Sequence, residues 1–184
     1  TLSSPLQLGL EATMHSVITD LKYRSGKSGE LVFMEMTRTV SQRNKICLTE
    51  QQTIVFKQGG GSISPIEVTP RTAGADDEVW TPGPVDLFRF SAVTSNSHRI
   101  HYDVPYATGE EGYPGLVVHG PFTATKLYSH AERQLAAPLK TFSFRASAPL
   151  FAGQDIILTR GDSDGDYTAL RCDGTRAMTA TATV

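Results

Sequence analysis

The chain has 184 residues, of which 39% are hydrophobic and 20% are charged, and its formal net charge at pH 7 is −2. This composition is typical of a globular protein that buries a core, and the weak charge gives no reason to expect nucleic acid or an anionic membrane as a partner. No apolar run in the sequence approaches the length of a membrane-spanning helix.

Residues 11–57 contain three stretches with the alternation and β-branched content typical of strands, 12–23, 31–40 and 45–56. Turns rich in Gly, Ser and Asn separate them and no amphipathic helix is predicted among them, so we expect an antiparallel meander. Because three strands alone make a poor core, the meander must pack against the later half of the chain, a second subunit or residues upstream of Thr1.

The segment 58–84 is rich in Gly and Pro and carries an acidic run just before the single tryptophan, Trp80. This composition indicates a linker, in which we expect Trp80 to anchor the connection rather than to bind a ligand. We therefore divide the chain into an N-terminal region, 1–58, a linker, 59–80, and a C-terminal domain, 81–184.

The C-terminal domain combines one predicted helix with several predicted strands. The apolar residues of 121–135 recur at spacings of three and four and Pro121 suits a first helical turn, so this segment is the predicted helix. The predicted strands are 85–90, 139–148, 155–160, 167–172 and 177–184. One helix with an antiparallel meander indicates an α+β fold in which the sheet wraps around the helix.

Neither the cysteines nor the acidic run at 162–166 indicates a metal site. Cys47 and Cys172 lie far apart in apolar runs, so we interpret both as buried thiols of a protein in a reducing, cytoplasmic setting. The acidic run resembles the start of a calcium loop. However, Tyr167 and Asp173 occupy the positions that require Gly and Glu, so a hairpin turn is predicted instead.

Polar side chains that can take part in chemistry concentrate between residues 90 and 127. They are Asn96, His98, Arg99, His101, Asp103 and His119. A spacing of three between His98 and His101 brings both imidazoles near one point on a helical turn or tight loop. Three interpretations remain open: structural hydrogen bonding, a metal site completed by Asp103 or His119, and acid–base catalysis near neutral pH. The intervening Arg99 disfavours a cation, so no metal is expected.

Gly120 and Pro121 open the predicted helix, whose N-terminus offers free backbone N–H groups and the positive end of a dipole. Pro121 cannot donate, so the Gly120 N–H is a natural donor to a ligand oxygen, and glycine lets that ligand come close to the backbone. A base beside such a donor is the arrangement that proton chemistry next to a carbonyl requires.

Two motifs, NSHRIHYD at 96–103 and YPGLVVHGP at 113–121, together resemble the MaoC-like hydratases and dehydratases of the hotdog superfamily. The branch most similar contains hydroxyacyl-thioester dehydratase type 2, mesaconyl-CoA hydratase and itaconyl-CoA hydratase. Residues 5–57 resemble the end of the family's N-terminal repeat, and 81–184 resemble its complete second repeat. The resemblance therefore implies a double hotdog, with a central helix wrapped by an antiparallel sheet. Because nothing helical precedes residue 11, we expect the N-terminal repeat to be incomplete.

The family motif is Asp-x-Asn-Pro-x-His, with the Asp and His as the catalytic pair. By resemblance, His101 matches the catalytic histidine and Asn96 falls at the aspartate, while His98 and Arg99 replace the motif's Asn and Pro. Asparagine cannot act as a general base, but its amide can orient a water molecule or the thioester, and this branch commonly carries asparagine there. Gly120 matches the backbone donor to the thioester oxygen.

The resemblance implies an acyl-CoA hydratase or dehydratase that needs no cofactor beyond the CoA of its substrate, and we further expect a homodimer. The predicted substrate-binding residues, each also suited to structural hydrogen bonding, are His98, Arg99, Tyr113, His119 and Arg145. The acyl group is open between a dicarboxylic type, such as mesaconyl or itaconyl, and a fatty or polyketide intermediate, carried by CoA or an acyl-carrier protein. The alternatives are a non-catalytic acyl-thioester-binding protein and a hotdog thioesterase. A thioesterase usually needs a carboxylate on or near the central helix, where Glu132 stands only near the far end.

Overall fold

The computed structural model describes residues 1–26, 29–57, 66 and 73–184. The chain forms two compact units, Thr1–Gly59 and Gly60–Val184. Most of the predicted linker at 59–80 lies outside the described residues. None of the helices in the described ranges is long and apolar enough to cross a membrane.

The first unit is a three-stranded antiparallel sheet in the order β1-β2-β3. Its strands are β1 (Thr13–Gly26), β2 (Gly29–Gln42) and β3 (Lys45–Lys57), which confirms the predicted meander. Arg43 and Asn44 form the two-residue turn between β2 and β3 with φ of 49° and 61°, the left-handed geometry that matches the twist of a hairpin. Within the described part of this unit, Cys47 is the one buried apolar residue, as expected of a sheet with no second layer of its own.

The second unit holds a five-stranded antiparallel sheet in the order β4-β6-β7-β8-β5. Its strands are β4 (Glu78–Trp80), β5 (Thr141–Ala146), β6 (Ile156–Arg160), β7 (Asp166–Leu170) and β8 (Arg176–Thr183). The last four confirm the predicted strands, whereas β4 lies at the end of the segment predicted as a linker. The acidic run at 162–166 forms the β6–β7 turn as predicted, closed by the Gly161 N–H donating to the Asp166 carbonyl at 2.7 Å.

One helix packs across this sheet, and it is the one that the sequence predicted. It is α2 (Gly120–Leu135), with contacts to the four strands that follow it. Leu127 and Ala131, one turn apart, are fully buried, as are Ile156 and Leu158 of β6 at the centre of the core. This spacing of four gives the helix an apolar face against the sheet, and burial of that face stabilises the unit.

The predicted strand at 85–90 is wrong, because these residues belong to a helix, α1 (Pro84–Thr94). The Asp86 carboxylate accepts the Gly83 N–H at 2.8 Å and Pro84 occupies the first turn, so the helix start is well capped. Leu87 and Ser91, four residues apart, are the buried positions. The alternation in the short stretch VDLFRF imitates a strand, although the burial follows helical spacing.

The two cysteines are free, but they differ in burial. Cys47 is buried, whereas Cys172 is only half-buried, which corrects the expectation that both are fully enclosed. The Cys172 thiol lies 3.3 Å from the Gln154 side-chain oxygen, and burial is the main cause that raises the pKa of this thiol. A raised pKa leaves less of the reactive thiolate at neutral pH, so we expect Cys172 to react more slowly than an ordinary free thiol.

Candidate active site

The end of α1 shapes the turn that carries the first predicted motif. Ser95 ends the helix in the left-handed conformation with φ 53°, and the Asn96 N–H donates to the Ser91 carbonyl at 2.9 Å. The Asn96 side-chain oxygen then accepts the His98 N–H at 3.0 Å, which starts a short 3₁₀ turn over Arg99–His101. The predicted spacing of three thereby brings the rings of His98 and His101 to 5.7 Å between centres.

His101 is 7% exposed, and its environment fixes which ring nitrogen carries the proton. Its Nδ1 lies 2.7 Å from the Val117 carbonyl oxygen. A carbonyl can only accept, so Nδ1 donates and the lone pair of the neutral ring is on Nε2. Burial is the main cause that lowers the pKa of His101; the bond to Val117 opposes it and the charge of His98 adds to it. The ring is therefore neutral at neutral pH and can accept a proton at Nε2.

His119, which immediately precedes α2, lies flat against His101. The two rings are 3.6 Å apart between centres and inclined by 18°. His119 Nε2 lies 2.9 Å from the Ser91 hydroxyl, while Nδ1 is buried without a hydrogen-bond partner in the described part of the chain. Burial first, and then the charge of His101, lower the pKa of His119 to about 4. The His119 side chain is 1% exposed, and its predicted contact with substrate stays a prediction.

Gly120 is the first residue of α2, and its N–H donates to no acceptor among the described residues. A Cβ added at Gly120 would meet nothing within 4 Å, so open space borders the backbone there. Pro121 follows, which leaves the Gly120 N–H as the donor at this point of the helix start. Because His101 stacks on the residue just before Gly120, the predicted base and the predicted donor are neighbours.

The other predicted binding residues are less closely tied to this pair. Arg99 is exposed; its Nη2 lies 2.7 Å from an Asp103 oxygen and its guanidinium lies 4.2 Å from the centre of the Tyr106 ring. Arg99 is also the main cause that lowers the pKa of Asp103. Tyr113 is half-buried beside Phe151, at 6.2 Å between ring centres. Arg145 is exposed on β5, and no described hydrogen bond or ion pair joins it to the histidines.

The sequence did not indicate two groups that hold the histidines, Ser91 and the Val117 carbonyl. Ser91 fell within the segment misread as a strand, whereas a helical interpretation would have placed it on the buried face, four residues after Leu87. The role of a backbone carbonyl has no sequence signal. In the described ranges, no three His, Cys, Asp or Glu side chains are grouped as a metal ion would require.

A cleft of about 290 Å³ adjoins this cluster at the end of α1. It is lined by Phe88, Ser91, Ala92, Ser95, Asn96, Ser97 and Tyr102. A larger depression of about 470 Å³ lies at the other end of α2, around Ser129 and Pro138, and neither His101 nor His119 is among its lining residues. The smaller cleft borders Asn96 and the serine that holds His119, whereas neither His101 nor Gly120 is among its lining residues.

Comparison with known proteins gives related sequences for most of the chain. A family model described as hydroxyacyl-thioester dehydratase type 2 matches residues 1–152. Mesaconyl-C(4)-CoA hydratase of Chloroflexus aurantiacus is 42% identical over 182 residues, which cover 96% of this chain and 65% of that protein. The mitochondrial hydroxyacyl-thioester dehydratase type 2 of Schizosaccharomyces pombe is 30% identical over 62% of this chain and 39% of its own length. This chain thus spans less than two thirds of the length of these relatives.

Solved structures show the same architecture. HtdX of Mycobacterium tuberculosis aligns with 98% of this chain and 70% of its own at a TM-score of 0.76 and 22% identity. A MaoC-like dehydratase aligns with 97% of this chain and 71% of its own at a TM-score of 0.74 and 16% identity. These likenesses confirm the predicted hotdog fold.

Proposed function

The chain belongs to the hydroxyacyl-thioester dehydratase type 2 family, and from this premise we propose that it is a hydro-lyase acting on acyl thioesters. In one direction it adds water to an enoyl-CoA, and in the other it dehydrates a 3-hydroxyacyl thioester. The observation that carries the proposal is the His101 ring, whose Nδ1 donates to the Val117 carbonyl so that Nε2 is free to accept a proton. The free Gly120 N–H beside it supplies the matching donor.

In the first step, the thioester carbonyl oxygen accepts a hydrogen bond from the Gly120 N–H at the start of α2. The helix dipole adds to this bond, and together they draw electrons from the conjugated double bond toward the oxygen. The space beside Gly120, where a Cβ would meet nothing within 4 Å, admits the carbonyl close to the backbone. The β-carbon thereby becomes the electrophile.

In the second step, His101 Nε2 takes one proton from a water molecule as its oxygen bonds to the β-carbon. The electron pair of the double bond passes to the enolate, and His101 then returns the proton to the α-carbon, so that the catalyst ends unchanged. Asn96 orients the water. Its side-chain oxygen is already bonded to the His98 N–H, which leaves its NH₂ group as the free donor.

For the acyl group we propose a short dicarboxylic type, such as mesaconyl or itaconyl. The name of the 42% identical relative supports this choice. Arg99 supports it as well, because Nε and Nη2 bond Asp103 and leave Nη1 for a substrate carboxylate. His98 and Tyr113 are further candidates for this contact, and the exposed Arg145 is a candidate for the CoA phosphates. CoA is then part of the substrate, and the reaction needs no other cofactor.

The homodimer and the cytoplasmic location stay predictions. The free thiols of Cys47 and Cys172 support a reducing compartment. Light scattering of the purified chain would test the dimer.

The function is tested by following the enoyl-thioester absorbance of crotonyl-CoA, mesaconyl-CoA and itaconyl-CoA. We expect the absorbance to fall with one of them in the wild type and to persist in the His101→Ala variant, which should keep its fold. Near-normal turnover by that variant, or no turnover of any substrate by the wild type, would contradict the proposal. A parallel thiol assay would detect a thioesterase. That alternative is disfavoured because Glu132, the acid of α2, bonds the Tyr128 hydroxyl at 3.3 Å near the far end of the helix.

A further inference from the structure

Ser91 of α1 holds both sides of the histidine cluster. Its hydroxyl lies 2.9 Å from His119 Nε2, and its backbone carbonyl accepts the Asn96 N–H at 2.9 Å. His119 in turn lies parallel to His101, with 3.6 Å between ring centres. The end of α1 thus bonds the residue proposed to orient water and the ring on which the proposed base rests.

We propose that His119, oriented by Ser91, is a positioning residue for His101. Its ring fixes the plane of the His101 imidazole and so keeps His101 Nε2 directed at the substrate. The inference rests on the proposed function of His101. It replaces the predicted substrate contact of His119 with a role exerted through its neighbour.

The surroundings of His119 suit a ring that is held in place against His101, here called the plate, rather than a ring that contacts a ligand. The side chain is 1% exposed. The Phe90 ring lies 4.9 Å from the His119 ring centre, and the Ser91 hydroxyl occupies Nε2. With a hydrogen bond, a stacked ring and an aromatic neighbour, His119 has little freedom to turn.

His101 needs such a plate because its hydrogen bond alone does not fix the ring. The second side-chain torsion of histidine is broad, so a ring bonded only through Nδ1 to Val117 can rock about that contact. Rocking would move Nε2 away from the line of proton transfer. The nearly parallel His119, 3.6 Å away between ring centres, limits this freedom, because a rotation of the His101 ring about its Cβ–Cγ bond turns one edge of the ring toward His119.

The plate also has to stay uncharged while His101 holds a proton. Burial and the charge of His101 lower the pKa of His119 to about 4, so His119 is neutral when His101 becomes an imidazolium. Among the residues that the structure describes, the other titratable group that acts on the pair is His98, at 5.7 Å from His101 between ring centres. The contacts from α1 are the Ser91 hydroxyl and the Phe90 ring, which carry no charge. The protonated base therefore faces no like charge across the stack.

The test compares His119→Ala, which removes the plate, with His119→Phe, which keeps a flat uncharged ring. We expect kcat of His119→Ala to fall about 100-fold with little change in KM, because the substrate contacts stay and only the base is misplaced. His119→Phe should recover most of this loss. Ser91→Ala should lie between the two, since the ring remains but loses its anchor.

His130→Ala is the matched control. His130 is also buried and has a ring nitrogen without a partner among the described residues, but it packs against Tyr167 and Glu78. We expect its kcat to equal that of the wild type even where its melting temperature falls. Wild-type kcat in His119→Ala would overturn the proposal. So would losses of kcat that follow melting temperature equally in both variants, because these would mean a structural role only.

An NMR titration of the His101 ring separates this inference from the proposed function, because it needs no substrate. We expect the pKa of His101 to rise toward its ordinary value in His119→Ala, where water reaches the ring, and to stay near wild type in His119→Phe. This pattern in a protein that hydrates no thioester would support the positioning and reject the hydratase. An unchanged His101 titration in His119→Ala would overturn the positioning, whatever the activity.

Discussion

Two histidines of the second unit, His119 and His130, are alike in burial and in the direction of their pKa shift, but they have different neighbours. Each has one ring nitrogen without a partner in the described residues, and burial is the largest cause that lowers the pKa of each. His119 lies against a second histidine and next to a free backbone N–H. His130 lies 3.6 Å from the Glu78 carboxylate, which also contacts Arg133. Burial with a lowered pKa does not by itself mark a site; what the ring touches does.

The largest expected effect on turnover is at His101, which stacks on His119. His101→Asn keeps a side-chain N–H near the place of Nδ1, so it can still donate to the Val117 carbonyl, but it has no counterpart of Nε2. We expect turnover to fall about 10²- to 10⁴-fold, the usual contribution of a general base, while the melting temperature stays close to wild type. Steady-state kinetics and a thermal melt test this.

The exposed His98 provides the control for that variant. His98→Asn changes the neighbouring imidazole in the same way. Because His98 is a candidate for substrate contact and not for the base, we expect this variant to keep most of its kcat, with any change appearing in KM. A His98→Asn variant as inactive as His101→Asn would transfer the role of base to His98.

A smaller effect is expected at the helix start. Gly120→Ala keeps the N–H donor, but it places a methyl group in space where no protein atom lies within 4 Å. We expect an unchanged melting temperature and a loss of about tenfold in kcat/KM, because the methyl group occupies the place of the thioester. Gly109→Ala is the matched control, since its added methyl group also meets nothing within 4 Å. Equal kcat/KM in both variants would contradict a ligand at Gly120.

The pH dependence of activity should reflect the lowered pKa of His101 in this cluster. His101 must be neutral to accept a proton, and burial lowers its pKa below the ordinary value of 6.5. We therefore expect kcat/KM to be constant through neutral pH and to fall only as pH drops below about 6.5. An acid limb centred above that value would show that another group, or a charged His101, controls the reaction.

The elements built from long periodic stretches were predictable. Apolar residues recur every second position in strands and every three or four positions in a helix, and burial of the resulting apolar face stabilises the element. This periodicity is present in the three strands of the first unit, in α2 and in β5–β8. Helix α1 was missed because a six-residue stretch fits both periods, and the deciding features were the Asp86 carboxylate on the Gly83 N–H and the burial of Leu87. Strand β4 was missed because its three residues pair with β6, far along the chain.

The candidate site shows the same division. The two motifs and their resemblance suffice to nominate His101, Asn96 and Gly120 as site residues from the sequence alone. The ring stack of His101 on His119 joins residues 18 positions apart through a turn whose path no local pattern specifies. Ser91 was hidden by the error in α1, so one mistaken element concealed the residue that connects the cluster. An error in one local element therefore has its largest effect at a site that is built from residues distant in the sequence.

The smallest effect is expected around His130, where Glu78 of β4 contacts both His130 and Arg133 of α2. Glu78→Gln keeps the shape of the side chain and removes its charge. Because the Arg133 side chain is 58% exposed, the ion pair is well screened, and we expect the free energy of unfolding to fall by no more than about 1 kcal/mol. Loss of that carboxylate should lower the pKa of His130 further, since Glu78 opposes the effect of burial. Chemical denaturation measures the first change, and an NMR titration of His130 measures the second.

Turnover should match the wild type, because these groups hold β4 to α2 and touch neither His101 nor Gly120. A Glu78→Gln variant with normal stability but reduced turnover would show that Glu78 and His130 also take part in the reaction, contrary to the distinction drawn between His119 and His130.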